Sequence, residues 1–520
     1  MIRRYRLRSF AARFAGVALA CGVTFASAGT AQAGGPTFVV YGRGWGHAVG
    51  MSQWGAKGLA EKGASAPRIL GNFYHGVYVR QPSLPGGIRV GLLQEQSSID
   101  VSGNGRFDFL DSTGVVRASG QNGQVWRVRP VGNRLVVSSP DGVAAFSSGV
   151  PVRLKYTAWG TLLKLPQTGR SYKRGFVDLD LNMSTGNERA ILMVPFEEYL
   201  YGIAEMPSSW PTEALKAQAI AARTYAAEHI ARLGQFRTVC NCAVYASTAD
   251  QVYAGASQEV SSWMSAVNVT KGQAMTYQGN LIQAYYSASD GGFTENNENV
   301  WGGTPLPYLR GICDQGDYDG GANTQANWSA TMDGDQMGQR LATGGFAVGT
   351  VQKVEILDPR GVSGRVLRVI DSTHGGFRIT GSQGTARMSG DQFRALLGLR
   401  STLISHNIKG DIRLRYDSLN CVPGRPYVEE YTWKDLSGSI RGSAQNFTNG
   451  RLFRNGSTRK VFWTRGPILT RYDQLRGQGI DLGLPVSDTY AITGGQRNDF
   501  ERGYITWNAS TGQTSYTRTR

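Results

Sequence analysis

The chain has 520 residues, with 55 Lys+Arg against 38 Asp+Glu for a formal charge of +17, and it carries 69 Gly but only 5 Cys. Its length exceeds what one hydrophobic core usually organises, and 41% apolar with only 18% charged residues excludes global disorder. The basic balance leaves three partner classes: nucleic acid, an anionic membrane, or an acidic polymer outside the cell.

Taken in chain order, the elements narrow that choice. Arg3, Arg4, Arg6 and Arg8 precede an apolar run from Phe14 to Ala26, which ends in Ala31-Gln32-Ala33. This is the basic, apolar and small-residue sequence of a secretory signal peptide. Cleavage after Ala33 removes five arginines and no acid, leaving +12. No later stretch approaches 18 consecutive apolar residues, so the mature chain reads as secreted and outside the membrane. Export and the lack of basic runs also argue against nucleic acid.

From Gly42 to Gly58 the chain reads Gly-Arg-Gly-Trp-Gly-His-Ala-Val-Gly-Met-Ser-Gln-Trp-Gly-Ala-Lys-Gly. So many glycines around His47, Ser52 and Gln53 permit close backbone approach to a ligand. The alternative is a glycine-rich turn whose His47 caps backbone groups. Short strands follow at 88–92, 106–109, 134–137, 152–156 and 177–181, separated by Gly, Asn, Asp and Ser. Then the period changes. Leu215, Ala219, Ala222, Ala226 and Ile230 recur at three and four residues, which predicts one face of a helix. Ser208 and Ser209 precede that helix, Pro211 suits its first turn, and Glu213 complements its positive end. The fold class expected is α+β, a β-rich platform carrying one long alanine-rich helix.

Cleavage leaves four cysteines, Cys240, Cys242, Cys313 and Cys421, as disulfide candidates. A bridge between Cys240 and Cys242 closes a strained ring across one residue, so each is expected to pair with Cys313 or Cys421. Metal ligation is the rival, but Cys-x-Cys here lacks a second Cys-x-x-Cys or a nearby His. A third block starts near Tyr416, where Phe447-Thr448-Asn449-Gly450-Arg451-Leu452 is echoed by Phe500-Glu501-Arg502-Gly503-Tyr504-Ile505, as in a small repeat module.

The most informative window runs from Val194 to Tyr225. Glu205 stands in the turn before the helix, flanked by Ile203, Ala204, Met206 and Pro207. An apolar setting raises a carboxyl pKa and lets it hold a proton near neutrality, as a general acid requires. An exposed or helix-capping Glu is the competing reading. The window V-P-F-E-E-Y-L-Y-G-I-A-E-M-P, followed by W-P and E-A-L-K-A-Q-A-I-A-A-R-T-Y, resembles the signature of the SpoIID/LytB family of sporulation and amidase-enhancer proteins. Gln251-Val252-Tyr253-Ala254-Gly255, Gly291-Gly292-Phe293-Thr294-Glu295 and the segment Phe393 to Thr402 fit further downstream.

The resemblance implies peptidoglycan glycan strands as partner and lytic transglycosylase chemistry, with Glu205 as the essential acid. The same carboxyl then takes the proton from the sugar's 6-hydroxyl as a 1,6-anhydro end forms. It also implies a rival role, a non-catalytic enhancer whose partner is a cell-wall amidase. His47, Ser52, Gln53, Arg223, Tyr225 and Gln251 are the expected substrate contacts. The alternative for Lys216 and Arg223 is a solvated or paired charge on the helix face. Zinc, ligated in some relatives by a His and two Cys after this helix, is not carried over, so no metal or cofactor is expected. Asp290 replaces the Ser or Cys of many relatives, and the Gly42–Gly58 segment stands far upstream of its usual place near the domain's end.

The C-terminal block resembles the LGFP repeat, through Leu482-Gly483-Leu484-Pro485 and Phe500, Gly503, Ile505 and Trp507; this implies cell-wall attachment. The expected division is a signal at 1–33, a displaced segment at 34–80 packing on the catalytic domain, a SpoIID/LytB domain at 81–410 and a wall module at 415–520.

Overall fold

A computed structural model describes residues 35–519 except 204, 369, 372 and 373. The assigned signal peptide therefore lies outside the described residues. No helix among them is long and apolar enough to cross a membrane.

Alternation builds the platform. In the strand Trp126–Val131, Trp126 and Val128 are buried while Arg127 and Arg129 face solvent, the period-2 pattern of a half-buried strand. A seven-stranded sheet runs in the order 244–245, 87–96, 187–195, 176–182, 152–155, 107–110, 116–120. A six-stranded sheet runs 144–148, 134–138, 126–131, 99–103, 163–165, 170–172. Both contribute to one core, which the helices complete.

Those helices are α1 (Gln53–Glu61), α2 (Ala66–Phe73), α3 (Phe196–Tyr201), α4 (Thr212–Leu233) and α5 (Ser261–Val269). The period expects one buried face on α4, yet every residue from Ala214 to His229 except Lys216 is buried. The reason is steric. Alanines at 214, 217, 219, 221, 222, 226 and 227 let α1, α2, α3, α5 and the strand Ala274–Tyr277 pack around the helix from several sides, and a helix apolar nearly all round belongs in the interior.

Residues 297–301 form the short helix α6, and beyond it lies a second core. There α7 (Gly334–Thr343) and α8 (Gly390–Leu397) cover a three-stranded sheet of 351–356, 377–381 and 384–388, next to a ribbon in which Thr37–Gly42 pairs antiparallel with Trp328–Asp333. Further on, α9 (Gly410–Ser418) leads to two four-stranded antiparallel sheets, with α10 (Gly466–Gly477) between them in sequence. The two echoed motifs occupy equivalent places, because Phe447 pairs with Gly450 and Phe500 with Gly503 at the central hairpin of each sheet.

The cysteines pair differently from expectation. Cys313 bonds Cys421 and ties the start of the C-terminal block to the main domain, but Cys240 bonds Cys242. The bridge across one residue is accommodated because Asn241 adopts left-handed backbone, φ 52°, which brings the two Cα atoms to 5.2 Å, inside the usual disulfide range. Asn241 N–H and Cys240 N–H both donate to the Arg237 carbonyl and hold this loop.

Candidate functional site

Glu205 follows α3 in a turn that an isolated bridge, Ile203 to Tyr253, fastens to the 250–254 segment. A Cβ on Gly202 would come within 2.3 Å of the Tyr253 ring, so only glycine admits that contact. The Val252 N–H donates to Glu205 Oε1 at 2.6 Å, and Oε2 has no protein donor among the described residues. Burial raises the carboxyl pKa to about 7, against a smaller lowering by the Val252 hydrogen bond. No cation stands close enough to enter that balance, so the proton is retained near neutrality because the site is desolvated.

A buried hydrogen-bond chain supports this corner. Tyr199 of α3 donates to Gln251 Oε1 at 3.0 Å, while Gln251 Nε2 donates to the Tyr286 hydroxyl at 2.8 Å and to the Ala222 carbonyl of α4 at 3.2 Å. Next to it, Asp250 accepts from the Tyr225 hydroxyl at 3.2 Å and from Arg237 at 2.6 Å, with His229 Nε2 at 3.6 Å. Burial pushes the Tyr199, Tyr225 and Tyr286 phenols upward, so all three remain protonated donors.

Tyr286 also brings in the glycine-rich segment. Tyr286–Ser287 pairs in parallel with Met51–Ser52, and Gly50, at φ 72°, passes so near the Tyr285 carbonyl that a Cβ would sit 2.1 Å from it. His47 lies between Trp301, 4.9 Å away, and Tyr285, 6.2 Å away. Its Nδ1 accepts from the Val49 N–H at 2.9 Å and its ring hydrogen-bonds the Tyr286 backbone. Burial lowers its pKa to about 4, with Arg365 adding to the effect, so the ring is neutral at pH 7.

The structure places the expected substrate contacts in different surroundings. His47 is half-buried, with Nδ1 taken by the Val49 N–H. Ser52 caps α1, donates to Asp317 at 2.9 Å and is buried, and Gln53 reaches Gln218 inside the core. Arg223 is neither solvated nor open to a glycan, because it is wholly buried and bonds Glu197 of α3 at 2.9 Å together with the Val267 and Gln273 carbonyls. Lys216 pairs with Glu213, which also receives the Ala66 N–H. Tyr225 and Gln251 stand beneath the Glu205 corner, although both are buried. What links these residues is the packing of α4, which wants small or paired side chains on every side. Sequence reading missed Val252, Tyr199 and Tyr286, and the one signal available was the Gln251-Val252-Tyr253 motif.

Asp290 sits elsewhere, in a sealed cluster with Asp314 and Asp317 whose carboxylate oxygens lie within 4.8 Å of one another. Burial and mutual repulsion raise Asp290 well above the usual range and Asp314 to about 7. Arg365 and Arg413 supply the neighbouring positive charge. Cys240 and Cys242 bond each other, and His229 faces Asp250.

Residues 184–277, which hold Glu205, α4 and the 250–254 segment, match the SpoIID family model, Stage II sporulation protein, and residues 482–518 match the LGFP repeat. The chain contains a SpoIID domain. Among curated relatives, it is 41% identical over 133 residues to the amidase enhancer of Bacillus subtilis (strain 168), covering 26% of this chain and 16% of that protein. It is 36% identical over 140 residues to stage II sporulation protein D of the same organism, covering 23% and 38%. An uncharacterized protein of Brachyspira hyodysenteriae is 42% identical over 120 residues, covering 22% and 31%. The chain thus spans well under half the length of each of these relatives.

Proposed function

We propose that this protein is a secreted peptidoglycan-active enzyme, a lytic transglycosylase in which Glu205 is the single acid and base, with the LGFP-containing block attaching it to the cell wall. The observation that carries the reading is a carboxyl held protonated to about pH 7 by burial, with one oxygen fixed by Val252 and the other unbonded. A protonated Glu205 donates to the glycosidic oxygen as the bond to the anomeric carbon breaks. The carboxylate so formed removes the proton of the same sugar's 6-hydroxyl while that oxygen bonds the anomeric carbon. A 1,6-anhydro end forms, no water is consumed, and the acid is regenerated. One carboxyl suffices, unlike the paired carboxylates of most glycoside hydrolases.

The likeness to a protein named amidase enhancer favours a second reading, a wall-binding regulator of a separate amidase. Incubating wild type and Glu205→Gln with glycan strands stripped of stem peptides separates the two. Anhydro-ended fragments from the wild type alone support the enzyme; none from either protein, with an amidase still stimulated, supports the regulator.

A further inference from the structure

Away from Glu205, a cavity of about 380 Å³ opens between the N-terminal ribbon, the second core and the start of the C-terminal block. Its walls are apolar, formed by Phe38, Val40, Val354, Ile356, Phe377 and Phe393. Its charged groups are of one sign. Arg360 spends only Nη1 on protein, donating to the Gly364 and Ile404 carbonyls. Arg425 lines the same space, and its guanidinium has no hydrogen bond or ion pair among the described residues. Burial, with the Arg425 charge adding to it, pushes Arg360 down to about 10. Glu429, which lies 3.1 Å from Nδ1 of the lining residue His406, also accepts from the Asn407 N–H at 2.9 Å. Asp358 acts on Arg360 only through space.

Two guanidinium groups with no direct ion pair among the described residues, set over an apolar pocket of ligand size, match a molecule with an acidic head and a hydrocarbon tail. We propose that this cavity binds a single-chain anionic amphiphile, its tail among Phe38, Ile356, Phe377 and Phe393 and its carboxylate or phosphate head between Arg360 and Arg425. Because the walls come from residues 38–41, 337–406 and 425–427, an occupant joins the N-terminal ribbon to the root of the wall module.

Calorimetric titration of the mature full chain with dodecanoate, dodecyl phosphate, dodecanol and dodecyltrimethylammonium, each below its micelle threshold, tests this. One-to-one binding of the two anions is expected, at least tenfold weaker binding of dodecanol and none of the cation; the ratio of the two anions shows which head is preferred. Arg425→Gln, which removes no side-chain hydrogen bond or ion pair among the described residues, lowers anion affinity about tenfold and leaves dodecanol unchanged, while Ile404→Trp fills the cavity and removes both. Should Ile404→Trp fail to fold in a thermal melt, Arg425→Gln decides alone. Equal affinity for all four compounds, multiple-site uptake, or anion binding unaltered in Arg425→Gln overturns the proposal.

Discussion

Glu205 and the Asp290–Asp314 pair beside Asp317 are both acidic places where burial raises a carboxyl, yet they differ in access. Glu205 is partly open, with one oxygen fixed and one unbonded. The three aspartates are wholly enclosed, and their hydrogen bonds come from Ser52, Ser289 and the Gly292 and Gly316 N–H groups. A perturbed carboxyl marks chemistry only where a substrate can reach it; where none can, the same physics describes an internal joint that holds α1 against the 289–317 segment.

Four experiments can break or sharpen that contrast. The largest effect is expected from Glu205→Gln, which should lower glycan cleavage by about 10²–10⁴-fold, the span typical of a lost general acid. Chromatography of anhydro-ended products checks it, and an unchanged rate removes Glu205 from the chemistry. Next comes Arg223→Met, which strands Glu197 and should cost about 3–5 kcal/mol of stability in chemical denaturation, as breaking a buried ion pair does.

Asp314→Asn should act in the opposite direction. The folded Asp314 pKa, about 7, lies above its ordinary value of 3.8. Its stabilising contribution is therefore complete below pH 4 and is lost as pH rises through 7. The substitution should flatten that decline and stabilise the protein at pH 8 by roughly 1–3 kcal/mol, without changing product formation. Glu205 obeys the same sign. Cleavage should fall as pH rises through about 7, and Glu205→Gln should gain only ~1–2 kcal/mol at pH 8, since solvent screens its open face. The smallest effect is assigned to Gln251→Leu. Loss of the Tyr199 and Tyr286 tethers should reduce cleavage about tenfold and shift the pH profile while the melting curve stays near wild type.

Much of this was legible in sequence. Alternation in Trp126–Val131 and spacing along Leu215–Ile230 reflect rules that act between near neighbours, and so does the apolar setting of Glu205. What escaped depends on distant packing. No local pattern reveals that α4 is enclosed on every side, which is what turned Arg223 from a surface charge into a buried strut. The pairing of Cys240 with Cys242 turned on one residue, Asn241, adopting a backbone conformation uncommon for a side-chain-bearing residue. Asp290 became intelligible only beside Asp314 and Asp317, which a linear reading places in another segment.

Two segments far apart in the chain, near residues 43 and 403, meet. Arg43 N–H bonds the Leu403 carbonyl, its own carbonyl accepts from Ser401, and Met51–Ser52 lies against Tyr286–Ser287. Contacts spanning some 360 residues close a very large loop, and loops of that size form late. A ribosome still holding residue 400 therefore holds a molecule whose Arg43 segment lacks its Leu403 and Ser401 partners. Anchoring of the glycine-rich segment at Arg43 becomes a matter of timing, set by when residues 401–403 are released.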